Sequence, residues 1–143
     1  MAAVPYMNSE LIPVILSKIM QSESYTVIIL GNEKKRFAIY TEPVVGKFLQ
    51  NFLTQGKRAR PSTFDLLSTI FKGCNIDLLQ IVLENVEDTT YFARIFLEIT
   101  EGDMKTIIEL DARPSDCITL ALMNNKPIFC RKSLLEKAIP FVD

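Results

Sequence analysis

The sequence predicts an α+β fold, a compact single domain of mainly antiparallel strands with helices. Three observations lead there. Residues 25–30 (YTVIIL), 36–40 (RFAIY) and 91–100 (YFARIFLEIT) are rich in β-branched and aromatic residues, with alternation clearest in the last run. The polar segments GNEKK, EDTT and EGD join such runs as tight turns. Apolar residues then recur at helical spacing behind Pro43, Ser62 and Pro114. A chain of 143 residues, 48% hydrophobic and 23% charged, is large enough to bury one real core.

Taken in order, residues 1–8 read as a flexible leader and 9–143 as the domain. Pro13 argues against a helix over the apolar stretch 11–20, which is therefore expected to be a strand. Residues 25–30 and 36–40 form a hairpin. Pro43 opens an amphipathic helix with Val44, Val45, Phe48, Leu49, Phe52 and Leu53 on its apolar face, ending before Gly56. Ser62 with Asp65 resembles a capping box, starting a second helix whose apolar face is Phe64, Leu67, Ile70 and Phe71. Residues 75–86, 91–100 and 105–111 make an antiparallel meander. At Asp111 the extended run ends, and Ser115 with Asp116 is expected to cap a helix carrying Ile118, Leu120, Ala121 and Leu122. A short strand at 127–130 and a helix near 133–137 complete the chain.

Arg60-Pro61-Ser62 and Arg113-Pro114-Ser115 match, and Leu67 and Leu120 fall at the same offset behind them. This suggests two pseudo-repeated strand-strand-strand-helix halves, with the two arginines facing a common surface.

Composition narrows the chemistry. Sixteen Lys and Arg against seventeen Asp and Glu leave a net charge of −1, so any polyanion must be held by a local patch. The chain has no histidine, which removes Ser-His and Cys-His catalysis and histidine-ligated metals. Cys74, Cys117 and Cys130 are odd in number and not closely spaced, as in a reducing compartment, and read as small buried apolar residues. With no signal-peptide pattern and no apolar run of membrane-spanning length, a cytoplasmic location away from membranes is expected.

The densest chemistry lies in DARPSDCITLAL, residues 111–122. Asp111 and Asp116 flank the turn, and Glu109 shares a strand face with Asp111, so the three carboxylates are expected to converge on one or two Mg²⁺ or Mn²⁺ ions. Arg113 and the free N–H groups of the helix start suit a phosphate, and Arg60, Arg58 and Lys57 extend that basic track. Against this stands a structural alternative, in which Arg113 ties Asp111 and Asp116 together and the loop lysine and arginines are simply solvated.

The run Asp111-Ala112-Arg113-Pro114-Ser115-Asp116, the helix at residues 118–122, and Pro127-Ile128-Phe129 resemble the bifunctional nuclease family. Arg60-Pro61 with Asp65-Leu66-Leu67, and Tyr91-Phe92-Ala93, support the likeness, which covers most of residues 11–140. The resemblance implies a compact α+β domain, self-association as a homodimer or higher homo-oligomer, and nuclease activity on DNA or RNA. On it, Asp111, Asp116 and Arg113 are the candidate catalytic residues. The family's usual histidine is replaced by Phe64, and its Glu-Ala pair early in the first long helix by Val45-Gly46. Those departures favour an alternative: a non-catalytic homodimeric binding or regulatory module that keeps the scaffold.

Overall fold

A computed structural model describes residues 10–143, so the leader expected at residues 1–8 lies outside the described residues. The elements are β1 (Leu11–Gln21), β2 (Thr26–Gly31), β3 (Arg36–Thr41), α1 (Pro43–Leu53), α2 (Thr63–Gly73), β4 (Ile76–Glu87), β5 (Thr90–Glu101), β6 (Met104–Ala112), α3 (Pro114–Met123), β7 (Ile128–Arg131) and α4 (Lys132–Lys137). Seven strands form one mostly antiparallel sheet in the order β3-β2-β1-β7-β4-β5-β6, giving the expected α+β domain.

Turn chemistry sets the hairpins. Asn32 Oδ1 accepts from the N–H groups of Lys34 and Lys35, closing the β2–β3 turn. Asp88 and Gly102 take positive φ of 57° and 59° in the β4–β5 and β5–β6 turns, the conformation that tight hairpins demand. Pro13 is accommodated because β1 pairs with β7 only through Leu11–Val14 and with β2 only from Ile15 onward. The missing N–H therefore costs the ladder nothing.

The two halves do repeat: β1-β2-β3-α1 runs outward on one side of β7, and β4-β5-β6-α3 on the other. β7 pairs antiparallel with β1 and parallel with β4, so the last strand in sequence joins the halves. The correspondence, however, is between the starts of α1 and α3. Both helices follow the third strand of a meander, carry proline at their first turn and lack a side-chain cap. Pro43 thus matches Pro114, whereas Arg60-Pro61-Ser62 belongs to α2, outside the repeat. Its residues also take different positions: Ser62 is the N-cap of α2, but Arg113 is the N-cap of α3.

The expected cap at Ser115 and Asp116 is therefore corrected. Ser115 already lies within the helix, and the Asp116 carboxylate binds Arg113 instead of a backbone N–H. The capping box at Ser62 and Asp65 is present in both directions. Helix faces also differ in depth. On α1, Val45 and Leu49 are buried but Val44 and Leu53 are exposed, while α2 buries no residue fully and its Ile70 is exposed. On α3, Cys117, Ile118, Leu120 and Ala121 are sealed against the sheet. Ile28, Leu30, Phe37, Ile81, Leu83 and Ile118 form the centre of the core. Among the described residues, no helix is long and apolar enough to cross a membrane.

Candidate functional site

Three helix starts meet at one cleft. Glu42, Val44 and Val45 from α1, Ser62, Thr63 and Phe64 from α2, and Arg113, Asp116 and Cys117 from α3 line a space of about 650 Å³, floored by Ile95 and Leu97 of β5. The approach of α1 depends on Gly46. A Cβ there would stand 2.5 Å from Thr26 Cγ2 and closer still to the Thr26 hydroxyl and the Gln21 amide oxygen. Thr26 Oγ1 in turn donates to Gln21 Oε1 at 2.9 Å and lies 3.1 Å from the Glu42 carbonyl oxygen, so the buried threonine locks the start of β2 and the end of β1 to the helix start.

At the mouth, the Arg113 guanidinium bonds both Asp116 oxygens, at 2.9 and 3.2 Å, and reaches across to Glu42 Oε1 at 3.0 Å. Glu42 and Arg113 are the N-caps of the two repeat-related helices, so this ion pair ties the halves together. The bonds to Asp116, then Glu42, push the Arg113 pKa up, and it stays cationic at any working pH. The side chains remain open to water, with Arg113 60%, Glu42 50% and Asp116 32% exposed. Exposed pairs of this kind contribute about 1 kcal/mol or less. Of the structural alternative, the tie from Arg113 to Asp116 is present, with Glu42 rather than Asp111 as the second partner.

Asp111 borders the cleft at the end of β6. Leu110 and Ala112 face the helix side, and Asp111 also borders a second hollow with Glu84, Phe92 and Arg94. Glu109 shares the Asp111 side of the strand but lines neither space. The expected convergence of Glu109, Asp111 and Asp116 on a metal ion is not formed: among the described residues no three His, Cys, Asp or Glu side chains are grouped to hold one. Asp116 has both oxygens engaged by Arg113, and strand alternation keeps Glu109 away from the helix start.

The basic track divides. Arg58 bonds Asp65 through Nε at 3.0 Å and lies 5.0 Å from the Phe48 ring, pinning the α1–α2 loop against α2. Arg60 shares a hollow with Arg58, Asp65 and Thr69, apart from Arg113, and Lys57 is exposed on the same loop. The arginines 60 and 113 therefore do not line a common cleft.

Cys117 sits at the base of the cleft, and burial first, then the charges of Asp116 and Asp111, push its thiol up to about 12. It remains a protonated thiol and is no nucleophile. What pattern reading missed is the cleft's apolar lining and the Glu42 partner. Phe48, Phe64, Leu67 and Phe71 have the spacing of ordinary core residues, yet all four line the cleft and stay partly exposed. Glu42 lies 71 positions from Arg113, and no local signal joins them.

The fold and site define a class: a repeated three-strand-and-helix domain whose helix starts surround one cleft. A family model for the bifunctional nuclease domain matches residues 27–142, and the chain belongs to that family. No curated protein matches it. Val45 and Phe64, the positions departing from the family pattern noted above, both line the cleft beside Asp111, Arg113 and Asp116. Within the repeat, Val45 also corresponds to Asp116 and Gly46 to Cys117, each pair counted from its helix-starting proline.

Proposed function

We propose that the chain is a nuclease that hydrolyses phosphodiester bonds of DNA or RNA at this cleft. The carrying observation is that Asp111, Arg113 and Asp116 line one opening together with three helix N-termini. Arg113 and the uncapped starts of α1 and α3 supply positive charge and N–H donors for a phosphate, which takes the place of Glu42 on the guanidinium. Asp116 holds Arg113 in position through the two-oxygen fork. Asp111, at the end of β6, borders both this cleft and the hollow with Arg94, and this reading gives its carboxylate the role of accepting a proton from an attacking water that enters between them. No step is assigned to a metal ion, because the carboxylates expected to hold Mg²⁺ or Mn²⁺ are not grouped to do so.

Purified protein should degrade single- or double-stranded nucleic acid, measured with Mg²⁺, with Mn²⁺ and with chelator. Asp116→Asn should abolish cleavage while leaving the melting curve near wild type. Cleavage that survives this change places the activity elsewhere.

A second reading is a binding or regulatory module without turnover. It is favoured by Phe64 and Val45, which make the cleft apolar where the family pattern carries a histidine and a glutamate. It expects salt-sensitive binding without cleavage, and appearance of cleavage in Phe64→His.

Self-association as a homodimer or higher homo-oligomer belongs to the same proposal. The β6 edge supports it, since Met104 is 71% and Ile107 53% exposed beside unpaired backbone groups. A monomer mass in sedimentation at micromolar concentration would remove it. Three free thiols support a reducing, cytoplasmic setting.

A further inference from the structure

We infer that the cleft accepts a single unpaired nucleobase, so that the substrate class is single-stranded nucleic acid or an unpaired end; this rests on the nucleic-acid function proposed above. The interior suits a flat apolar body. The Phe48 and Phe64 rings stand 5.0 Å apart and tilted by 39°, both partly open to solvent, and Leu67, Leu110 and Leu120 close the sides. Arg58 already lies over the Phe48 ring, which leaves Phe64 as the platform for a stacked ring.

Size and charge point the same way. A space of about 650 Å³ falls within the range of small-ligand pockets, roughly 300–1,000 Å³. Such a space admits one base with its sugar. In a duplex both faces of each base are covered by stacked neighbours, so only an unpaired or extruded base can present a face to Phe64. The polar groups stand at the mouth, where a nucleotide carries its phosphate. Arg113 and the starts of α1 and α3 meet that anion, and the hydroxyls of Ser62 and Thr63 border the opening.

The test uses a short phosphorothioate oligodeoxynucleotide containing one 2-aminopurine, so that binding is read without cleavage. The full chain should change the probe's fluorescence in the single strand and not in the matching duplex, with at least tenfold tighter binding of the single strand. Replacing the probe base by an abasic site should weaken binding about tenfold. Phe64→Ala and the cleft-filling Leu67→Trp should each weaken it to a similar extent, whereas Phe64→Tyr, which keeps the ring, should not. If a variant fails to fold, the duplex and abasic comparisons on wild-type protein decide alone. Equal affinity for duplex and single strand, or for abasic and intact strands, overturns base insertion and leaves the nuclease proposal standing. Failure to bind nucleic acid in any form overturns both.

Discussion

At the start of α2 the chain closes a complete capping box, whereas at the start of α3, behind the same Arg-Pro-Ser triplet, the backbone N–H groups are left without a side-chain cap. The difference follows from a shift of two residues in register. In the first case the serine stands outside the helix, where its oxygen reaches the N–H of Asp65 at 3.1 Å, and the Asp65 carboxylate returns to the N–H of Ser62 at 2.7 Å. In the second case proline occupies the first helical turn, the serine is drawn inside and buried, and the arginine becomes the cap residue. A closed helix end contributes stability. An open one, with a guanidinium in front of it, is available to an anion.

The contrast can be broken from several sides. The largest effect belongs to Gly46→Ala, which drives a methyl into Thr26 and pushes α1 off the sheet. A loss of about 2–3 kcal/mol, read by chemical denaturation, is expected from overpacking of this kind. A cost below about 0.5 kcal/mol would show that Thr26 can move aside.

Asp65→Ala comes next. It removes both halves of the capping box and the Arg58 fork, and a loss of about 1–2 kcal/mol is expected. The same carboxylate sets a pH dependence. Hydrogen bonds from Arg58 and then the Ser62 N–H hold its pKa below the ordinary 3.8. A carboxyl with a lowered folded-state value contributes stability that is complete above 3.8 and is lost as pH falls through that lowered value. Thermal melts between neutral pH and about pH 3 should therefore narrow the gap between wild type and Asp65→Ala, and a gap constant with pH would contradict it.

The paired serine changes test the comparison directly. Ser62→Ala should cost about 1 kcal/mol, because it frees the Asp65 N–H, while Ser115→Ala should cost less than about 0.5 kcal/mol. Equal costs would mean that the two helix starts are energetically alike.

A small stability effect is expected for Arg113→Ala as well. Its partners are exposed and rehydrate when released, so the melting midpoint should move by no more than the equivalent of about 1 kcal/mol. Its effect on nucleic-acid cleavage should be large. A large stability loss with unchanged cleavage would assign Arg113 to structure.

How far the sequence could be read depended on whether an interaction was local. Alternation in residues 91–100 and turn chemistry at Asp88 and Gly102 define the β4-β5-β6 meander within a few positions of each residue. The Ser62–Asp65 box was equally legible, being three residues across. The second helix start was misread because Pro-Ser-Asp satisfies both capping and first-turn preferences, and only the Arg113 fork decides between them. The repeat was seen but placed on the wrong triplet. Its true partner, Glu42-Pro43, shares only the proline with Arg113-Pro114, and its arrangement in space reveals the match. The cleft itself was hidden, since Phe48, Phe64 and Leu67 follow the same 3.6-residue period whether they are sealed in a core or left half open.

The position of β7 has a consequence for how the molecule is made. The four-residue strand Ile128–Arg131 sits between β1 and β4 and supplies the ladder on both sides. Until it leaves the ribosome, each meander has an unsatisfied inner edge, and the two face one another with nothing between them. The halves can be formed early, yet the sheet is sutured only once β7 has followed both of them out. Nascent chains shorter than 128 residues are therefore the species in which strand-edge aggregation is expected to concentrate.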